Sequence, residues 1–127
     1  MSKKLFSCVC VYAFVLGLSI AAAAQDKKSM SWTGNIVDKN CSAKVMADAS
    51  PAAAAENHKK GCALSPGCSK SGYGVFADGK FTEFDTKGNE LAKAALEKTT
   101  KANGAKFKVM GKIAEGKLVV DSITEVE

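Results

Sequence analysis

The chain has 127 residues, with 13 acidic side chains, 18 lysines, no arginine and a single histidine, for a net charge of +5. That length holds one domain and excludes a two-domain enzyme with an interdomain cleft. A basic balance carried by lysine alone does not mark a nucleic-acid binder, because arginine is the favoured reader of guanine and partner of phosphate.

Lys3 and Lys4 precede an uncharged, mostly apolar stretch over residues 5–24 that ends in four alanines. Ala22 and Ala24 occupy the small-residue positions that signal peptidase requires, so the pattern predicts a secretory signal peptide over residues 1–24, cut before Gln25. Cys8 and Cys10 leave with it, and neither sits where a lipoprotein cysteine would. The expectation is an exported protein, periplasmic or secreted, with no membrane anchor after cleavage. Loss of Lys3 and Lys4 lowers the net charge to +3, leaves 103 residues and cuts the cysteines from five to three: Cys41, Cys62 and Cys68.

Residues 25–30 read as a mobile polar leader. Residues 31–38, Ser-Trp-Thr-Gly-Asn-Ile-Val-Asp, are β-rich and alternate in part, which predicts a first strand. Residues 39–71 form an insertion that carries the three remaining cysteines, His58 and both prolines. Within it Ser50-Pro51 predicts a short helix over residues 52–60, ended by Gly61, with His58 in its last turn. Two β-rich runs over residues 73–77 and 80–84 flank Asp78-Gly79, a strong hairpin signal, since both central residues of a type I′ turn need positive φ. Phe76, Phe81 and Phe84 read as core. A helix is predicted over residues 89–101, capped by Asn89, with Leu91, Ala92, Ala95 and Leu96 as its apolar stripe and Asn103-Gly104 as its stop. Phe107, Val109, Gly111 and Ile113 then alternate with Lys106, Lys108, Met110 and Lys112, which predicts a half-buried strand whose lysines protect a sheet edge. A turn at residues 114–117 returns the chain as a final strand over residues 118–126.

The order is β, long loop, β-β hairpin, α, β-β hairpin. It predicts a β-rich α+β fold: a five-stranded OB-like barrel over residues 31–127, with the cysteine and histidine insertion between strands one and two. The alternative is an open antiparallel sheet with one helix on a face.

The run from Trp32 to Cys41, Trp-Thr-Gly-Asn-Ile-Val-Asp-Lys-Asn-Cys, followed by His58 and two more cysteines, resembles small exported bacterial proteins of uncharacterised function. The ending, Val109-x-Gly111-Lys112 with Leu118-x-Val120-x-Ser122-Ile123, resembles them too. The resemblance spans most of the mature chain and implies an OB-like domain without an assigned activity.

The chemistry gathers in the insertion, as Cys41-x16-His58-x3-Cys62-x5-Cys68. Three thiols and an imidazole can make a closed tetrahedral site for zinc or copper, because thiolates suit soft cations and neutral imidazole completes the shell. Cys41, His58, Cys62 and Cys68 are therefore the candidate ligands, and Asp38 is a candidate to orient one of them from behind. The alternative is one disulfide drawn from Cys41, Cys62 and Cys68, suited to an oxidising compartment, which would staple an interaction module for a protein or a glycan. A third reading pairs Cys41 with His58 as a reactive thiolate and imidazolium in a thiol redox protein. No Cys-x-x-Cys motif supports that reading, and no complete catalytic motif is present, so a binding domain is expected rather than an enzyme.

Overall fold

The computed structural model describes residues 28–127, so the expected signal peptide and all but the end of the leader lie outside the described residues. That end is part of the fold. Met30 opens the first strand, and the Ser29 hydroxyl donates to the Gly111 carbonyl across 3.4 Å.

Five strands form one antiparallel sheet: β1 (Met30–Asp38), β2 (Tyr73–Ala77), β3 (Lys80–Glu83), β4 (Lys106–Ala114) and β5 (Lys117–Val126), in the spatial order β3-β2-β1-β4-β5. The predicted strand order along the chain is therefore met. The sheet is not closed, and β3 and β5 are its edges. The ends of these edge strands approach through one parallel bridge, Phe84 with Leu118. The central strand divides its partners. Residues 30–34 pair with β4, and residues 35–38 pair with β2. The change falls at Gly34, where a Cβ would run into the Phe76 carbonyl oxygen, so only glycine lets the two strands cross so closely.

Both hairpins turn as their sequences require. Asp78 and Gly79 take φ of 51° and 75°, and Glu115 and Gly116 take 53° and 76°. One expectation for the lysines fails. Strand β4 lies inside the sheet between β1 and β5, so Lys106, Lys108 and Lys112 do not guard an edge.

The expected long loop is mostly helical. It holds α1 (Lys39–Ala47), α2 (Pro51–Glu56), α3 (Lys60–Ala63) and α4 (Pro66–Ser71). The predicted helix over residues 52–60 stops early, at Glu56. His58 therefore lies between two helices, and Gly61 sits inside α3 instead of ending α2. The last helix, α5 (Thr86–Lys98), starts three residues before the predicted cap. Asp85 caps it instead, accepting from the Gly88 amide at 2.9 Å and from the Val120 amide of β5 at 3.1 Å. Asn89 lies inside the helix and spends its Oδ1 on the Tyr73 amide at 2.8 Å. The helix ends well before Asn103-Gly104. Thr99 leaves helical geometry at ψ 140°, and its hydroxyl donates to Glu125 at 2.9 Å.

The core lies on both faces of the sheet. On one face α5 buries Ala92 and Leu96 against Ile36, Val75, Phe84, Phe107, Val109, Leu118 and Val120. On the other, α1 and α2 bury Val45 and Ala55 against Val37 and Phe76. Two covered faces explain why all of β2 is buried and why residues 34–38 of β1 lose their alternation. Of the three phenylalanines read as core, Phe76 and Phe84 are buried and Phe81 is partly so. Ile113 breaks the predicted alternation of β4 by being exposed, because β4 has there run past the end of β1.

Candidate metal centre

The centre forms where β1 becomes α1. Asp38 ends the strand and caps the helix, its Oδ2 accepting the Cys41 amide at 2.8 Å. An Asp at this position satisfies one of the amides left over at a helix start. Because the cap is followed directly by a helical turn, Cys41 is brought back beside the carboxylate, on a helix whose inner side packs on Val37 and Phe76.

The other two thiols arrive on short helices fixed by specific bonds. Cys62 lies on α3. The Lys60 amide donates to the Ala102 carbonyl at 2.8 Å, and its ammonium donates to the Thr99 carbonyl at 2.6 Å. From below, the buried Tyr73 hydroxyl donates to the Ala63 carbonyl at 2.8 Å. Burial, with the charge of Asp38 next, pushes this phenol up to about 12, so it stays a donor at any physiological pH. Cys68 lies on α4, docked on the start of α1. The Asn40 side chain donates to the Gly67 carbonyl at 3.2 Å, and the Lys39 amide donates to the Gly72 carbonyl at 2.9 Å.

The result is a cluster of Asp38, Cys41, Cys62 and Cys68 whose ligand atoms all lie within 4.8 Å of one another. A tetrahedral zinc site with bonds of about 2.3 Å places sulfurs about 3.8 Å apart, so closure needs shifts of about 1 Å at most. This cluster could bind a metal. Cys62 is the middle thiol, adjoining both Cys41 and Cys68. The Cys41 thiol is pushed up to about 12, first by burial and then by the Asp38 carboxylate beside it. The Cys62 thiol is raised as well, by burial first, with Cys41 pulling the other way and Cys68 and Asp38 adding to the rise.

His58 is not among the four clustered groups. Its Nε2 lies 2.9 Å from Asp38 Oδ1, with the imidazole 10% and the carboxylate 0% exposed. The places read from the sequence are exchanged in the geometry. Asp38, expected behind the thiols, is one of the four clustered groups, and His58, expected in the cluster, lies outside it against Asp38. The signal for this exchange was present in the spacing: an acid at a strand end, three residues before Cys41, can cap a following helix and meet that cysteine's amide. The expected disulfide is not formed. Cys41, Cys62 and Cys68 are all free thiols, with Cys62 exposed and the others half-buried. His58 turns its Nε2 to Asp38.

An open cleft of about 350 Å³ leads to the cluster, lined by Cys41, Cys62 and His58, with Lys44, Asp48 and Lys59 among its other walls. No protein-family model, curated protein or solved structure matches the chain.

Proposed function

We propose that this is an exported metal-binding domain that holds one zinc ion through Cys41, Cys62, Cys68 and Asp38. The observation that carries the reading is the convergence of three thiols and a fully buried carboxylate from three segments: the β1–α1 junction, which supplies both Asp38 and Cys41, then α3 and α4. The Asp38 cap places Cys41 locally, but Cys62 and Cys68 reach that pair only through the packing of α3 and α4, and three thiols around a buried carboxylate gain little without a cation. Copper(I) shares the affinity for thiolate, but an oxygen donor suits Zn²⁺ better. His58 then serves the ion from behind, orienting Asp38 as a ligand's partner does in many metal sites. The exposed Cys62 and the open cleft suit a site that loads and unloads, so the role is metal binding or buffering.

The scaffold in this reading is OB-like. Three observations support it: the central strand shared between two partners, the Gly34 crossing, and the bridge that draws the ends of β3 and β5 together. The metal cluster then occupies the connection between the first two strands, a common position for function in such domains.

Native mass spectrometry of the purified protein tests the reading. One zinc per chain is expected, lost in Cys62→Ser. Replacement by Co²⁺ is expected to give the intense thiolate charge-transfer and visible bands of a tetrahedral site. A metal-free protein that gains no zinc on titration, or one about 2 Da light from a disulfide, overturns it.

A further inference from the structure

Among the described residues, the sheet has one face region without a cover. Helix α5 spans one side, and α1 with α2 covers only part of the other, over Val37 and Phe76. The remaining part of that second side is built from the start of β1, from β4 and from β5. Partners directly opposite each other in an antiparallel pair share a face, so the register states what this region presents.

Its middle row is Lys106, Lys108 and Lys112, all exposed. At about 3.3 Å per residue, their Cα atoms lie about 7 Å and up to about 13 Å apart along the strand, with the irregularity at Met110 and Gly111 between the last two. Hydroxyls flank the middle of this row on both sides. Lys108 is flanked by Thr33 of β1 and Thr124 of β5, and Met110 by Ser31 and Ser122. Lys106 and Lys112 face Val126 and Val119 on β5. No carboxylate occupies a paired position on this face; the unpaired Asp121 of the β5 bulge, next to Ser122, accepts from the Ser29 hydroxyl at 3.3 Å. Glu56 and Asp78 border Lys106 at one end, in a shallow groove of about 280 Å³ that also holds Thr33, and they mark where the positive track stops.

We infer that this lysine track, with serine and threonine hydroxyls on both sides of its middle, is a docking surface for an anionic polysaccharide. Charge complementarity names the sign of the partner. The four hydroxyls around Lys108 and Met110 name its class, because they can exchange hydrogen bonds with sugar hydroxyls beside an acidic group. An anionic membrane would call for exposed aromatic or bulky apolar residues to enter the lipid interface, and this face has none among its exposed positions. A nucleic acid would call for arginine or stacking aromatics, and the face has neither. The surface is separate from the metal cluster, since Thr33 and Asp38 are five residues apart along β1, about 17 Å.

The test uses a polyuronate as probe, with neutral dextran, anionic phospholipid vesicles and single-stranded DNA as comparisons. Two variants remove the same charge from different faces. Lys106→Gln/Lys108→Gln/Lys112→Gln changes the track, and Lys87→Gln/Lys93→Gln/Lys98→Gln changes exposed positions on α5. Circular dichroism and thermal melts verify that both fold. Binding to polyuronate, weakened by salt, is expected to fall at least tenfold in the first variant and less than twofold in the second. The inference is overturned by absent binding, by equal losses in the two variants, by dextran binding as tightly as polyuronate, or by tighter binding to vesicles or DNA.

Discussion

Asp38 shows how much one buried carboxylate can organise. It caps α1, accepts from His58 and stands within the thiol cluster, with no exposed surface of its own. Its Oδ1 is oriented by the imidazole, and its Oδ2 by the Cys41 amide. This division of labour separates the two histidine roles experimentally. If His58 were a ligand, its removal would change how many donors the ion keeps. Behind Asp38, its removal leaves all four donors in place and only loosens their geometry. His58→Ala is therefore expected to keep one zinc per chain and to weaken its affinity by about 10- to 100-fold, as loss of an outer-shell partner typically does. Competition against a chromophoric chelator gives the affinity, and native mass spectrometry gives the stoichiometry. Spacing along the chain could gather Cys41, His58, Cys62 and Cys68 as a set, because soft donors crowded into one window are visible in any sequence. It could not rank His58 against Asp38. That ranking depends on where α2 ends, and the chain leaves helical form at Asn57, just before the histidine.

At the scale of elements, the hairpins and the apolar stripe of α5 were legible because local chemistry decides them: Asp78-Gly79 allows positive φ, and Leu91, Ala92, Ala95 and Leu96 repeat at helical spacing. What was hidden depended on partners distant in sequence. The covering of both sheet faces erased the alternation of β2, and the internal place of β4 followed only from β1 pairing with it. The junction of three elements at Glu83 is of the same kind. Its carboxylate holds Lys39 of α1 at 3.1 Å and Lys117 of β5 at 3.2 Å. Burial raises this carboxyl, and the hydrogen bonds and charges of the two lysines outweigh that, so its pKa is lowered on folding. The stability it adds is present above the ordinary carboxylate range and is lost as pH falls through its folded value. Both lysines are more than half exposed, so the whole junction is worth about 0.5–1 kcal/mol. Glu83→Gln is expected to melt a few degrees lower at pH 7 and to match the parent near pH 2. Thermal melts across that range check the convergence, and a gap that persists in acid would show that shape rather than charge is responsible.

For the whole molecule, metal and fold are linked through the same segments. The four helices of the insertion are short, of nine, six, four and six residues. Helices of that length are not stable alone, and tertiary contacts must hold them. A cation joining α1, α3 and α4 to the end of β1 supplies such a contact, and it binds only when the fold has brought the donors together. Free zinc at about a hundred times its dissociation constant then adds about 2.7 kcal/mol to folding. In a domain of this size that raises the melting temperature by about 10–20 °C. The thiols must give up protons to take the ion, and Cys41, held up to about 12, gives its proton up only to the metal at neutral pH. The zinc-dependent gain in melting temperature is accordingly expected to grow from pH 6 to pH 8 and to vanish below about pH 5, where protons displace zinc from thiolates. Differential scanning calorimetry with zinc and with a chelator, at each pH, measures it. A gain independent of pH would mean that zinc sits on carboxylates elsewhere on the surface. A gain that follows pH and disappears in Cys41→Ser places the ion at the junction of β1 and α1.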